Sequence, residues 1–122
     1  LHYGQKGFSV GDIVRVVLVP QGAQDAADRQ IMLDLTVDAG GAAVGPFPAF
    51  GRIGDFKRPE TLFPFTLMGD GRLDYGAHAG PAPAEDKLAI RNAVLTPGAE
   101  ILRTVGDRSE AFVIAAVTSL TA

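Results

Sequence analysis

Residues 99–120 read AEILRTVGDRSEAFVIAAVTSL, two apolar runs split by Gly106-Asp107-Arg108-Ser109. Turn-forming residues between two β-rich runs predict an antiparallel hairpin, with strands over 99–105 and 110–120 and a four-residue turn. In the second run Phe112, Ile114, Ala116 and Leu120 share one face at a period of two, while Val113, Ala115 and Val117 share the other. A strand that is apolar on both faces belongs in the middle of a sheet.

Residues 12–19, DIVRVVLV, have the same character. Val14, Val16 and Leu18 line one face; Ile13, Val17 and Val19 line the other, with Arg15 as the exception. Such a strand is expected to be covered on both sides, as in a small barrel or sandwich. Pro20 ends it, and a polar loop follows. Residues 30–37, QIMLDLTV, alternate cleanly, with Ile31, Leu33, Leu35 and Val37 facing inward. That is a half-buried antiparallel strand.

The middle of the chain is punctuated differently. Residues 39–60 hold five glycines, three prolines and three phenylalanines, so no long helix fits, and the stretch reads as one long irregular loop. Strand character resumes over 61–68, TLFPFTLM, where Pro64 requires an edge or a bulge. Asp70-Gly71 predicts a tight type I′ hairpin, with a short return strand over 72–75. Residues 76–86 form a second loop. Residues 87–95, KLAIRNAVL, alternate with Leu88, Ile90 and Val94 on one face and are read as strand, against a helical rival over 84–94. Thr96-Pro97-Gly98 fits a type II turn. The sum is an all-β chain, a compact antiparallel β-barrel or β-sandwich of about six or seven strands with two long Gly/Pro-rich loops, 39–60 and 76–86, and an N-terminal arm over 1–11.

At 122 residues this is one domain, 47% hydrophobic and 20% charged, which supports a real core. The net charge is −3, and neither half is basic, which argues against a nucleic-acid binder. No cysteine is present, so disulfides, cysteine-ligated metals and thiol catalysis are excluded. No apolar run approaches the roughly 18 residues of a membrane helix. The chain begins with Leu1, which points to processing, trimming or a longer parent chain. Arginine outnumbers lysine eight to three, and alanine and glycine are abundant, a composition that fits a GC-rich bacterial or phage genome.

Three groups of residues carry candidate chemistry. In GDGRLDYGAH, 69–78, the carboxylates of Asp70 and Asp74 and the imidazole of His78 are metal-ligand types at short spacing. The plainer reading is a hairpin turn running into a surface loop. In the 39–60 stretch, Phe47, Phe50, Arg52, Phe56, Lys57 and Arg58 interleave aromatic and basic groups. Asp55 and Glu60 among them weaken a nucleic-acid reading and favour a protein interface, where Phe and Arg are common. The third group would be a catalytic site. The histidines are His2 and His78, the serines Ser9, Ser109 and Ser119, and none stands in a known nucleophile or metal motif. Asp34 and Asp38 read as solvated carboxylates.

The reading that follows is a non-catalytic structural or assembly module with no cofactor, self-associating or binding a protein partner through apolar loops, as a virion or extracellular assembly component would. A small-ligand- or carbohydrate-binding barrel is the first alternative, and would require Phe47, Phe50, Phe56 and Phe63 to point into a concave site. A metal-dependent enzyme using Asp70, Asp74 and His78 is the second.

Overall fold

The computed structural model describes residues 8–23, 29–76 and 85–121. They form one sheet of eight antiparallel strands in a nearly closed barrel. The strands are β1 (Asp12–Pro20), β2 (Gln30–Val37), β3 (Ala49–Gly54), β4 (Phe63–Leu67), β5 (Leu73–Asp74), β6 (Asp86–Leu88), β7 (Glu100–Val105) and β8 (Arg108–Ser119). The order β5-β4-β3-β2-β1-β8-β7-β6 is an up-and-down meander in which β1 meets β8. The seam between β5 and β6 is narrow. It is made by an Arg72–Lys87 bridge and by the Leu88 amide donating to the Gly71 carbonyl at 2.8 Å.

Alternation places the core. Val14, Val16 and Leu18 of β1 and Ile31, Leu33, Leu35 and Val37 of β2 are at most 1% exposed. They meet Phe65 and Leu67 of β4, Ile101 of β7, and Phe112 and Ile114 of β8 inside the barrel. An eight-stranded barrel is just wide enough for side chains to fill. Pro64 stands on β4 where β5 is absent, since β5 pairs only with Thr66 and Leu67, so its missing amide hydrogen costs no ladder bond.

Several expectations need correction. The stretch 39–60 is not one loop, because β3 lies inside it. Its Gly51 is a packing residue: an added Cβ would lie 2.5 Å from the Met32 carbonyl oxygen and 2.8 Å from Phe65 Cζ. Gly-rich sequence here marks a close approach of strand and ring, which is easily mistaken for a turn. The strand expected over 87–95 stops at Leu88. Residues 89–92 turn, Asn92 takes a φ of 67°, and Val94 is 55% exposed instead of sharing the buried face of Leu88 and Ile90.

Turn chemistry differs in detail as well. Gly106 and Asp107 alone connect β7 to β8, with Val105 opposite Arg108, so Arg108 and Ser109 belong to the strand. Only Gly106 has positive φ (62°), which suits a type II′ turn. At 68–72 only Gly71 is left-handed (φ 91°), and the Met68 amide donates to the Arg72 carbonyl. That is a three-residue loop, a type I turn followed by a left-handed glycine, in place of the two-residue type I′ turn. Thr96-Pro97-Gly98 behaves as read: Gly98 has φ 90° and the Ala99 amide reaches the Thr96 carbonyl at 3.0 Å.

β8 carries a bulge. Val17 pairs with Ala116 but Leu18 pairs with Ile114, leaving Ala115 extra. The extra residue flips the alternation, so Val117 turns toward the core while Ala116 is exposed. Ala116 and Leu120 therefore do not share the inner face of Phe112 and Ile114. Nor is the outer face of β1 and β8 covered throughout: Val19 is only 7% exposed, but Ile13 is 38% and Leu120 45% exposed.

Candidate functional site

The two ends of the barrel are built from different chemistry. One end holds the connections 38–48 and 89–99 and the turn at 69–71. There Ala43, Ile90 and Leu95 are buried, with Phe8 and Phe47 packed against them. Arg91 lies over the Phe47 ring at 6.0 Å and donates to the Gly69 carbonyl at 2.6 Å. Asp38 holds the turn there, its Oδ1 accepting the amides of Gly40 and Ala42 at 2.9 Å. This end is an apolar plug.

At the other end the inward row turns polar. On β7, Arg103 and Val105 continue the inner face of Ile101; on β8, Glu110 and Arg108 continue that of Phe112. Arg29 has the inner parity of Ile31 just ahead of β2. Arg29, Arg103, Val105, Arg108, Ser109 and Glu110 line a cavity of about 570 Å³. Arg29 is ion-paired with Glu110. Arg103 grips Asp86 with two bonds, Nε to Oδ1 at 3.0 Å and Nη2 to Oδ2 at 2.7 Å. The Tyr75 hydroxyl donates to the same Oδ2 at 2.8 Å. With side chains only 17% and 8% exposed, Arg103 and Asp86 are a buried pair. Tyr75 follows β5, Asp86 begins β6 and Arg103 lies on β7, so the triad fastens the seam where strand pairing is thin. Burial, then the Asp86 hydrogen bond and charge, push the Tyr75 phenol well above its usual range. Burial alone would lower the Arg103 pKa; the hydrogen bond and charge of Asp86 reverse this and raise it.

The outer surface has one notable face. β2, β1 and β8 present Met32, Ile13, Val17, Ala115, Ala116 and Leu120 outward, with Arg15 and Asp34 paired among them. Phe50, on β3 opposite Asp34, stands at its margin and is 67% exposed.

The residues singled out from sequence do not gather in one place. Phe50 and Arg52 point outward from a strand, and Arg52 touches the Met32 sulfur at 3.8 Å. Phe47 is in the apolar plug. Phe56, Lys57 and Arg58 follow β3 at the opposite end, where Arg58 faces Glu60. Phe63 is 64% exposed, so these phenylalanines do not converge on a concave site. Asp70 and Asp74 are each engaged by the amide two residues on, that of Arg72 at 3.0 Å and that of Gly76 at 2.8 Å. The Arg72 amide also holds the Asp70 carboxyl below its usual range. His2, His78 and most of the 76–86 loop lie outside the described residues. Among the described residues no three His, Asp or Glu side chains group as metal ligands, and no helix is long and apolar enough to cross a membrane. Asp34 is bound to Arg15 and Asp38 to backbone amides, so neither is a merely solvated carboxylate.

The arginine mouth and the seam triad escaped the sequence reading. A signal existed for the mouth: Arg29, Arg103, Arg108 and Glu110 all fall on the inward parity of their strands. The triad joins three distant segments, and no local pattern points to it. Comparison with models of known protein families, with curated proteins and with solved structures found no match.

Proposed function

We propose that this chain is a non-catalytic assembly module in which the outer face of β2, β1 and β8 pairs with a second copy. The carrying observation is that β1 and β8 are apolar on both faces while the barrel interior uses only one. Ile13, Val17, Ala116 and Leu120 face out with no layer over them among the described residues. The charges on this face are already neutralised, since Arg15 and Asp34 bond each other. A face with an internally paired charge is self-complementary, as a two-fold interface requires. β8 is 12 residues long. It lies beside β1 over 112–119; at about 3.3 Å per residue, with neighbouring strands about 4.8 Å apart, the three-strand face covers on the order of 400 Å², about half of the roughly 800 Å² per partner of a standard interface. Phe50 at its margin supplies the kind of aromatic side chain that anchors interfaces.

The interface thus shifts from the loops to a strand face, and Phe50 and Arg52 remain its nearest sequence-predicted members. The test is solution mass by light scattering over a concentration series. The wild type should reach twice the 12.7 kDa chain mass, and Ala116→Asp should run as a folded monomer. A wild type that stays monomeric throughout, or an Ala116→Asp variant that associates equally well, overturns the proposal.

A further inference from the structure

We infer that the arginine-lined end of the barrel is a binding site for a small organic anion, one carrying a carboxylate or phosphate on an apolar body. This rests on none of the outer-face residues used above. The contrast between the two ends is the starting point. At one end Phe8, Phe47, Ile90 and Leu95 pack as an apolar plug. The opposite end places three guanidinium groups, those of Arg29, Arg103 and Arg108, around a cavity of about 570 Å³. That volume lies within the usual range for small-molecule sites.

Among the described residues the charges there do not cancel. Glu110 is the acidic residue among the described ones that line the cavity, and Asp86 holds Arg103 from its seam side. Among the described residues, three cations stand against these two anions, in a chain whose net charge is −3. Arg108 is the surplus group, with no ion pair among the described residues. Arg103 and Arg29 are held in place by their carboxylate partners. Fixing two guanidiniums beforehand lowers the ordering cost of binding an oxyanion. Val105 adds an apolar wall that is 38% exposed, which a bare inorganic ion would leave uncovered. Guanidinium forks match carboxylate and phosphate geometry better than other side chains do.

Two probes separate the possible sources of the oxyanion: phenyl phosphate and benzoate. Each is titrated into the wild-type chain, into Arg108→Gln, and into Arg72→Gln, which removes the same charge from the plugged end. Binding is read by amide NMR shifts and by melting temperature. The inference predicts saturable shifts at β7, β8 and Arg29 with at least one probe. It also predicts at least tenfold weaker binding in Arg108→Gln and unchanged binding in Arg72→Gln. Arg108 is exposed, so its variant should keep the wild-type circular dichroism. Whichever probe saturates at lower concentration identifies the group recognised. No saturable shift with either probe, or equal weakening in the two variants, overturns the inference.

Discussion

Arg15 and Asp34 meet across β1 and β2 on the outside of the barrel, Nε to Oδ1 at 2.8 Å and Nη2 to Oδ2 at 2.9 Å. Their register pairing makes this a direct cross-strand contact, and the Asp34 hydrogen bond raises the Arg15 pKa. Each side chain is 38% exposed, so in the single barrel the pair contributes little, on the order of 0.5 kcal/mol. Buried between two copies, the same pair would matter more, because removing one partner leaves an unpaired charge in the interface. Asp34→Asn should therefore barely move the urea midpoint of the monomer yet weaken dimerisation several-fold. Dilution-dependent light scattering reads the second effect. Equal association of variant and wild type would remove the pair from the interface.

Gly51 is a position where β3 depends on one atom being absent. An added methyl would meet the Met32 carbonyl oxygen at 2.5 Å and Leu33 Cδ2 at 2.7 Å, so both backbone and core must shift. Gly51→Ala should cost about 2–3 kcal/mol, in the range for overpacked cores. Urea denaturation checks this directly. A loss under about 0.5 kcal/mol would mean that the β3–β4 packing relaxes easily.

The same glycine explains why β3 is hard to read from sequence. Alternation locates β1 and β2 because each is long and its buried core residues are Val, Ile or Leu, while β7 and β8 show as two apolar runs on either side of the Gly106-Asp107 turn. β3 has Gly51 at an inner position and Phe50 at an outer one, which inverts the usual pattern. β5 and β6 have two and three residues, too few for any period to show. The bulge at Ala115 is invisible because both possible faces of β8 are apolar, so a slip by one residue leaves the pattern looking intact. The sites follow the same logic. Phe50 and Arg52 are conspicuous side chains, but the glycines and prolines around them have the pattern of a loop, and the mouth arginines are separated by 74 positions between Arg29 and Arg103.

The seam offers a sharper test of the fold. Asp86 is 7% exposed and accepts from both Arg103 and Tyr75. Asp86→Asn keeps the shape but removes the charge that balances a largely buried guanidinium. Breaking such a pair from one side costs about 3 kcal/mol. Chemical denaturation should show that loss, and hydrogen exchange should show faster opening at β6 than at β1. Uniform weakening across all strands would mean that the triad stabilises the barrel as a whole and has no special role at the seam.

Tyr75 gives the pH dependence a sign. Its folded pKa lies above the unfolded value of about 10, because burial and Asp86 both oppose the phenolate. Below pH 10 the phenol is protonated in both states and its contribution is fully present. As pH rises past the unfolded value, the unfolded chain loses a proton that the folded chain keeps, so stability falls through the interval up to the folded value. Tyr75→Phe removes this proton from the balance. It should lower stability near pH 7, by loss of the Asp86 hydrogen bond, and flatten the decline between pH 10 and pH 11.5 by about one proton per molecule. Urea midpoints at a series of alkaline pH values separate the two effects. Parallel curves for variant and wild type would show that the phenol ionises equally well in the folded chain, and that its bond to Asp86 does not hold the proton.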